Sequence, residues 1–407
     1  MAKVAVLGYG TVGSGVVEVL EKNADSIKVK AGQEVEVKSV LDLRDFPGQS
    51  IQDKIVHDID LIVNDPEIDV VVEVMGGVDV PYQFVRKCLE AGKSVCTSNK
   101  ALVEAKGPEL LAIAKSKNVN FQFEASVGGG IPIIRPLNNC LTADKVNKIT
   151  GILNGTTNYI LTKMSQEGIS YDEVLLEAQQ LGYAERNPEA DVEGHDACRK
   201  IAILTSLYSG KTVKFKNITC EGITKISNID FEYAKQLGCV VKLLACSYVK
   251  DGKVYAITAP FMIDKKHPLY NVNGVLNGIY VNGNMVGDLM FFGSGAGKLP
   301  TAAAVCADVV DCVRNIGKGT LPIFWSEEEL ELGSTDDEIR SFFVRVRGND
   351  VDKASKAFGG EINIITLDGV DNEFGFFTEK MTEKKFNEAT SQLDVISRLR
   401  VDDTVLN

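Results

Sequence analysis

The sequence is poor in histidine. Only His57, His195 and His267 occur among 407 residues. Histidine is the side chain that most often moves a proton near neutral pH. Any chemistry here that needs a proton donor would therefore use another group, and lysine is the natural candidate.

Long apolar runs and paired cysteines are also scarce, and acidic residues outnumber basic ones by 56 to 44. The net charge is -12, so we expect the surface to repel nucleic acid and anionic membranes. No apolar run is long enough to span a bilayer, and Lys3 leads directly into a strand, so we expect no signal peptide. The nine cysteines are odd in number and none are spaced C-x-x-C, which predicts free thiols and a cytoplasmic location.

The first third of the chain alternates between strand and helix patterns. Its length suggests two or three domains in all. The alternation predicts an α/β fold with a Rossmann-type doubly wound parallel sheet over residues 1–130. The predicted strands are 4–7, 35–41, 69–74, 93–97 and 120–124. The predicted helices are 11–22, 81–91 and 101–117, and the last of these is expected to break at Gly107-Pro108.

The pattern changes after Gly128-Gly129-Gly130. Helices near 170–181 and 194–208, followed by antiparallel strands near 240–248 and 254–261, predict an α+β substrate-binding domain over 131–298. The apolar helix within 299–317 is expected to return to the first domain. Residues 318–340 are acidic and rich in turn residues, so we interpret them as a linker.

The tail, residues 341–403, has strand and helix patterns in the order βαββαβ. Its predicted elements are 342–346, 351–358, 362–367, 373–380, 383–393 and 395–401. This order is typical of a ferredoxin-like domain.

Gly8-Tyr9-Gly10-Thr11-Val12-Gly13 matches G-x-G-x-x-G between a strand and a helix. In this context the motif binds a dinucleotide pyrophosphate at the helix N-terminus. The second strand ends with Asp42 and Arg44. An acidic residue there would hold the ribose of NAD, whereas an arginine would accept the 2′-phosphate of NADP. We favour NADP through Arg44, and a simple salt bridge between these residues is the alternative.

Asp196 and Lys200 are four residues apart and would share one face of a helix. Such a pair is usually a solvated surface pair. Here it ends a segment, 178–200, that concentrates carboxylates around turn residues and closely resembles the signature of homoserine dehydrogenases. The segments 97–102, 124–132, 151–158 and 293–302 also resemble blocks of that family, so the resemblance covers about residues 3–316.

The resemblance implies NAD(P)-dependent interconversion of L-aspartate 4-semialdehyde and L-homoserine, in threonine and methionine biosynthesis. It implies Lys200 as proton donor and Lys100 as a second catalytic cation near the nicotinamide. Substrate would be bound by Glu185, Asp191 and Asp196. The implied cofactor-binding residues are Gly8, Gly10, Thr11, Val12, Gly13, Arg44, Lys100, Gly182, Glu185 and Gly297.

The resemblance further implies a monovalent cation, usually Na⁺, held by Glu124, Val127, Gly129 and Ile131. Oxygen ligands suit such an ion. The alternative is a loop in which Glu124 only caps backbone amides. We expect the cation to have a structural role.

The same resemblance implies that the tail is a diverged ACT-like regulatory domain with threonine as its effector. It also implies a homodimer or homotetramer built through residues 131–298, which would make this an oligomerisation domain as well. The family loop after the first tail strand carries Asp-x-Pro-Gly, whereas this chain has Arg347-Gly348-Asn349-Asp350. A dimerisation module without a ligand is therefore equally open. Two other functions stay open: another two-domain aldehyde reductase, which should lack the 182–200 segment, and an idle nucleotide-sensing protein that binds an amino acid.

Overall fold

The computed structural model describes residues 1–321 and 323–405. The first part of the described chain forms a parallel sheet with helices between its strands. Its elements are β1 (Ala2–Leu7), α1 (Thr11–Lys22), α2 (Ala24–Ala31), β2 (Val35–Leu41), β3 (Ile55–Val56), α3 (Asp60–Val63), β4 (Ile68–Glu73), α4 (Asp79–Glu90), β5 (Ser94–Thr97), α5 (Lys100–Ser116) and β6 (Phe121–Gln122).

The six strands lie in the order β3-β2-β1-β4-β5-β6 and all pair in parallel. Apolar runs such as Val70–Val72 are fully buried, as parallel strands covered on both faces require. The predicted doubly wound fold is confirmed. In this arrangement the strand order reverses between β1 and β4, so a ligand is expected at their carboxyl ends.

The second part of the chain builds a mixed layer of helices and a second sheet. Its elements are β7 (Val146–Ile152), α6 (Gly155–Glu167), α7 (Tyr171–Gln180), α8 (Glu189–Val192), α9 (His195–Ser209), β8 (Lys211–Thr212), β9 (Thr219–Cys220), α10 (Asn228–Gln236), β10 (Cys239–Lys250), β11 (Lys253–Asp264), β12 (Leu276–Gly283), β13 (Gly287–Ser294) and α11 (Lys298–Arg314). The strands β10 and β11 are antiparallel, as their sequence pattern predicted.

Helix α11 leaves this layer and packs on the first sheet. A Cβ on Gly15 of α1 would lie 2.9 Å from the Lys298 carbonyl oxygen and 3.0 Å from the Ala302 Cβ, so the two helices meet at a small residue. The apolar face of α11, including Val305 and Val309, is buried in one core with Val16 of α1. This helix therefore completes the core of a sheet whose strands are more than 170 residues earlier in the chain.

The tail has the predicted βαββαβ order. Strand β14 (Ser326–Glu329) precedes the tail, whose elements are β15 (Ile339–Arg347), α12 (Val351–Phe358), β16 (Ile364–Ile365), β17 (Glu373–Phe377), β18 (Met381–Thr382), α13 (Glu383–Thr390) and β19 (Val395–Val401). The two-residue strand β18 is an addition to the βαββαβ order and pairs with β15. The order β19-β15-β17-β16 is that of a ferredoxin-like sheet, which confirms this part of the fold class.

The tail sheet is continuous with the second sheet. Strand β19 pairs with β11 at Phe261/Arg400 and Met262/Val401. Ion pairs cross the same boundary: Arg345 binds Asp230 at 2.8 Å in a buried pair, and Arg400 binds the partly exposed Glu221 at 2.8 Å. Hydrogen bonds and charge pairs thus attach the tail to the preceding layer.

The predicted break at Gly107-Pro108 is wrong, because α5 continues through both residues. The indole of Trp325 packs where a side chain of residue 107 would be, since a Cβ there would lie 2.5 Å from Trp325 Cζ2. Residues 318–340, predicted as a linker, carry this buried tryptophan and strand β14, which pairs with β8. Pro322 in that segment lies outside the described residues. None of the helices in the described part of the chain has both the length and the apolar character that crossing a membrane needs.

Candidate active site

The glycine turn joins β1 to α1 in a conformation that suits a phosphate. Gly8 has a φ of +97°, and a Cβ on Gly13 would lie 1.9 Å from the Gly8 carbonyl oxygen. Gly10 precedes α1, and no atom would lie within 4 Å of a Cβ there. The helix then begins with Thr11 and Val12. The five predicted residues of this turn therefore surround an accessible helix N-terminus.

Asp42 and Arg44 meet beside this turn. Arg44 Nε is 2.9 Å from Asp42 Oδ1 and Arg44 Nη2 is 3.0 Å from Oδ2. The Tyr9 backbone N–H donates to Asp42 Oδ2 at 2.8 Å. The Arg44 hydrogen bonds hold the pKa of Asp42 well below its usual range. Arg44 is exposed but paired, so both the salt bridge and a phosphate-facing position are compatible with its location.

A cavity of about 630 Å³ opens at the carboxyl ends of the first sheet. Helices α6 and α9, the loop after α7 and the loop before α11 form its other walls. It brings together predicted residues that are far apart in sequence: Val12, Lys100, Gly129, Gly182, Glu185, Asp191, Asp196, Lys200 and Gly297.

Asp196 lies between two lysines. Lys200 Nζ is 2.7 Å from Asp196 Oδ2, one helical turn earlier on α9, and it also donates to the Leu153 carbonyl oxygen at 2.7 Å. Lys100 Nζ, from the start of α5, is 2.8 Å from Asp196 Oδ1. Asp196 is 5% exposed and Lys200 is 9% exposed, so this is not a solvated surface pair.

The charges of this cluster perturb one another. Burial alone would raise the pKa of Asp196, but Lys200 and Lys100 hold it well below its usual range. Asp196 in turn raises the pKa of Lys100. The pKa of Asp191 is raised, first by burial and then by the nearby Asp196. The cavity therefore contains a stable carboxylate, a strongly held ammonium and a carboxyl group that gains a proton more readily than usual.

Asn154 is a member of this cluster that the sequence did not single out. Its Nδ2 donates to Asp191 Oδ1 at 2.8 Å and to Asp196 Oδ2 at 2.9 Å. Its Oδ1 accepts the Thr157 N–H at 2.8 Å and caps α6. An asparagine before a helix signals a cap, but its carboxylate partners are far along the chain.

Glu185 lies on the loop after α7, at the edge of the cavity. Gly182 on the same loop has a φ of +74°. The Glu185 backbone carbonyl accepts from Gln179 Nε2 at 3.1 Å. Within residues 1–321 and 323–405 no cation pairs with the Glu185 carboxylate, and this leaves it available to a ligand.

The loop predicted to hold a cation has two kinds of oxygen. The Glu124 carboxylate accepts the backbone N–H groups of Ile133, Ile134 and Arg135 at 2.5–2.8 Å. In contrast, the described residues donate no hydrogen bond to the carbonyl oxygens of Val127, Gly129 and Ile131. The side chain of Glu124 is thus occupied as a cap, while the three carbonyl oxygens accept no hydrogen bond in the described chain and are of the ligand type that a monovalent cation takes. The described chain has no cluster of three or more His, Cys, Asp or Glu residues that could hold a metal.

Comparisons with known proteins agree with this geometry. The family model described as homoserine dehydrogenase matches residues 132–310, and that described as homoserine dehydrogenase, NAD binding domain, matches residues 8–124. The homoserine dehydrogenase of Synechocystis sp. is 45% identical over 76% of this chain and 73% of its own length.

Solved structures are similar as well. A homoserine dehydrogenase from Thiobacillus denitrificans has a TM-score of 0.91 at 32% identity and covers 99% of this chain and 98% of its own. A hyperthermophilic archaeal homoserine dehydrogenase mutant in complex with NADPH has a TM-score of 0.65 at 28% identity. It covers 76% of this chain and 97% of its own.

Proposed function

The chain belongs to the homoserine dehydrogenase family, and we propose that its cavity uses Lys200 as proton donor in that reaction. The protein is an NAD(P)-dependent oxidoreductase that interconverts L-aspartate 4-semialdehyde and L-homoserine. We therefore do not propose either alternative function, the other two-domain aldehyde reductase or the idle nucleotide-sensing protein. The observation that carries the proposal is the contact of Lys200 and Lys100 with one buried carboxylate, Asp196.

A reduced nicotinamide, when bound, supplies the hydride that attacks the aldehyde carbon. Lys200 gives its proton to the carbonyl oxygen as negative charge develops there. The Leu153 carbonyl and Asp196 orient the Lys200 ammonium, and they leave one of its three N–H donors for the substrate. Lys100 adds a second positive charge at the reacting oxygen. In the opposite direction the proton of the homoserine hydroxyl passes to Lys200, which must then begin the step as a neutral amine.

Carboxylates are the expected partners for the substrate's ammonium group. We assign this role to Glu185 and Asp191, with Asp196 contributing its charge. Both Asp196 oxygens already contact lysines, whereas the Glu185 carboxylate is unpaired in the described chain. Asp196 therefore holds the side chains of Lys200 and Lys100 in place, and Glu185 takes the larger part of the ammonium contact.

For the cofactor we propose NADP, with its 2′-phosphate held by Arg44. Support comes from the position of Arg44 at the end of β2, from its exposed guanidinium and from the relative described in complex with NADPH. When the 2′-phosphate binds, the Arg44 guanidinium would leave the Asp42 carboxylate and pair with the phosphate. The glycine turn, Gly182 and Gly297 would border the rest of the dinucleotide. NAD, with Asp42 on its ribose, is the second candidate.

For the cation we propose Na⁺, bound by the carbonyls of Val127, Gly129 and Ile131 beside Glu124, in a structural role. The test is thermal unfolding of the enzyme without cofactor in sodium chloride and in choline chloride at equal ionic strength. A higher Tm in sodium would support a bound ion. Equal Tm values would reduce Glu124 to a cap for backbone amides.

For domain roles we propose nucleotide binding by residues 1–130 with the return helix 299–317, and substrate binding and oligomerisation by 131–298. Residues 318–340 would connect these to a regulatory, ACT-like domain at 341–403. Strand β13 supports an oligomer, because it is an edge strand with Met290 and Phe292 exposed. We propose a homodimer or homotetramer and, from nine free thiols, a cytoplasmic enzyme.

For regulation we propose threonine as an effector of the tail. Its support is the ferredoxin-like strand order and Gly348, whose φ of +96° follows β15 where the backbone leaves room for a ligand. Deleting the tail would also expose the edge of β11 that pairs with β19, so a point substitution in the intact chain is the better test. Gly348→Val should abolish threonine inhibition without changing uninhibited turnover. An intact enzyme that threonine does not inhibit would contradict the proposal.

The central experiment is an absorbance assay at the NAD(P)H band with L-homoserine, run once with NADP and once with NAD. We expect turnover with both cofactors and a higher kcat/KM with NADP. A preference for NAD would transfer the cofactor role from Arg44 to Asp42, and absence of turnover with either would contradict the proposed roles of the cavity residues.

A further inference from the structure

Glu73 is a fully buried carboxyl group that the mechanism above does not use. It ends β4, at the level where Thr97 ends the neighbouring strand β5. Burial raises the pKa of Glu73 to about 7, although hydrogen bonds from Thr97, Met75 and Asn99 oppose this. A buried carboxyl is costly unless its hydrogen bonds are satisfied, and both oxygens of Glu73 accept one.

The bonds lead in one direction, towards the start of α5. Thr97 Oγ1 donates to Glu73 Oε2 at 2.5 Å, and the same hydroxyl accepts the Asn99 N–H at 2.9 Å. Asn99 then caps α5, because its Oδ1 accepts the Leu102 N–H at 3.1 Å. Its Nδ2 donates to the Gly77 carbonyl oxygen at 2.8 Å.

Lys100 is the first residue of the helix that this network fixes. Its Nζ reaches Asp196 on α9, which belongs to the second part of the chain. The direction in which α5 starts therefore determines whether the ammonium reaches Asp196 and the cavity. Glu73 also fixes the chain on its other side, since its Oε1 accepts the Met75 N–H at 2.7 Å.

We propose that Glu73 is a positioning residue for Lys100, acting through Thr97 and Asn99. This rests on the role of Lys100 in the proposed function. Glu73 anchors the β5–α5 turn to the end of β4, so the ammonium stays aligned with Asp196 and with the reacting oxygen. A misplacement of about 1 Å in a catalytic group can cost on the order of a hundredfold in rate.

The test is a double-mutant cycle between Glu73→Leu and Lys100→Ala. Glu73→Leu keeps the bulk of the side chain but removes both acceptors, and it should lower kcat for homoserine oxidation by about 10- to 100-fold. The KM for homoserine should change little, because Glu73 does not contact the groups assigned to the ammonium. In the Lys100→Ala background the same change should have almost no further effect.

Two conservative variants complete the design. Glu73→Gln retains an acceptor for Met75 and a polar group for Thr97, and it should restore most of the lost kcat. Thr97→Val cuts the same link if Glu73→Leu fails to fold, with Thr97→Ser as its matched control. Glu104→Gln, a partly buried carboxyl on the same helix that instead accepts from the Phe215 N–H, should leave kcat unchanged.

An unchanged kcat in Glu73→Leu would overturn the inference, as would an equal loss with and without Lys100. A Lys100→Ala enzyme with unchanged kcat would instead remove Lys100 from the chemistry. That result would overturn its role in the proposed function, and this inference with it.

Discussion

Asp191 and Asp196 share one amide group: the two hydrogens of Asn154 Nδ2 go to Asp191 Oδ1 at 2.8 Å and to Asp196 Oδ2 at 2.9 Å. Two carboxylates this close repel each other, and the amide offsets part of that repulsion. The pKa of Asp191 is still raised, first by burial and then by Asp196, so the hydrogen bond from Asn154 offsets only part of these effects.

Replacing Asn154 with serine should therefore weaken substrate binding. Serine still caps α6, but it cannot reach both carboxylates. Asp191 should then hold a proton to higher pH and lose its attraction for the ammonium, so the KM for homoserine should rise by about tenfold at pH 7. The loss should shrink as the pH is raised from 7 to 9, because a higher pH favours the Asp191 carboxylate. A KM that stays equal to that of the parent at both pH values would contradict this role.

Removal of the proton donor should slow the chemical step. Lys200→Ala is expected to lower kcat by about 10²–10⁴, the usual range for loss of a general acid. NADPH binding, followed by the change in its fluorescence, should be nearly unchanged because the proposed role of Lys200 is towards the substrate. Near-normal turnover would show that another group delivers the proton.

The Arg44 guanidinium should separate the two cofactors. Arg44→Ala removes the proposed 2′-phosphate contact and should raise the KM for NADPH, while the KM for NADH stays almost the same. It also frees Asp42, whose oxygens now contact Arg44. Initial rates with both cofactors measure this, and equal losses for NADPH and NADH would assign Arg44 a purely local role.

Because of Lys242, the free energy of unfolding should increase with pH in the alkaline range. Its ammonium is buried among neutral oxygens, at 2.6 Å from the Val272 carbonyl and 2.8 Å from Asn273 Oδ1. Burial lowers its pKa from 10.5 to about 8. Between these values only the unfolded chain keeps the proton, so the unfolded state binds more protons and folded stability rises with pH.

The expected gain is about 3 kcal/mol across that window, since one pKa unit corresponds to about 1.4 kcal/mol. It can be measured by urea unfolding of the parent and of Lys242→Met at several pH values from 7.5 to 10.5. The difference between the two proteins isolates this group, because other titrating residues are common to both. A difference that is constant with pH would contradict a depressed lysine.

Local signals allowed several elements to be predicted to the residue. Helix α1 starts directly after the glycine turn, and β2, α12 and β19 also have the bounds that their patterns indicated. The predicted break at Gly107-Pro108 was wrong, because α5 continues through both residues. Gly107 instead leaves room for the indole of Trp325, which is more than 200 residues away in the sequence. Helix propensity depends on neighbouring residues, so it cannot predict a contact with a residue so far along the chain.

In the site, too, local patterns were predictable from the sequence and contacts between distant residues were not. The spacing of Asp196 and Lys200 reveals their shared helix face, but nothing local indicates that Lys100 binds the other oxygen of Asp196. Asn154 could be identified as a cap, not as the bridge between two carboxylates. Pairings that join separate strands and helices become visible only when the fold is known.

The return of α11 to the first sheet has a consequence for synthesis of the protein. One face of β1 and β4 packs against Val305 and Val309, which the ribosome adds long after residue 130. At about 5–20 residues per second, the intervening chain takes roughly 10–30 s to make. During that time the newly made sheet exposes apolar side chains to water, which makes this interval the natural point for a chaperone to bind the growing chain.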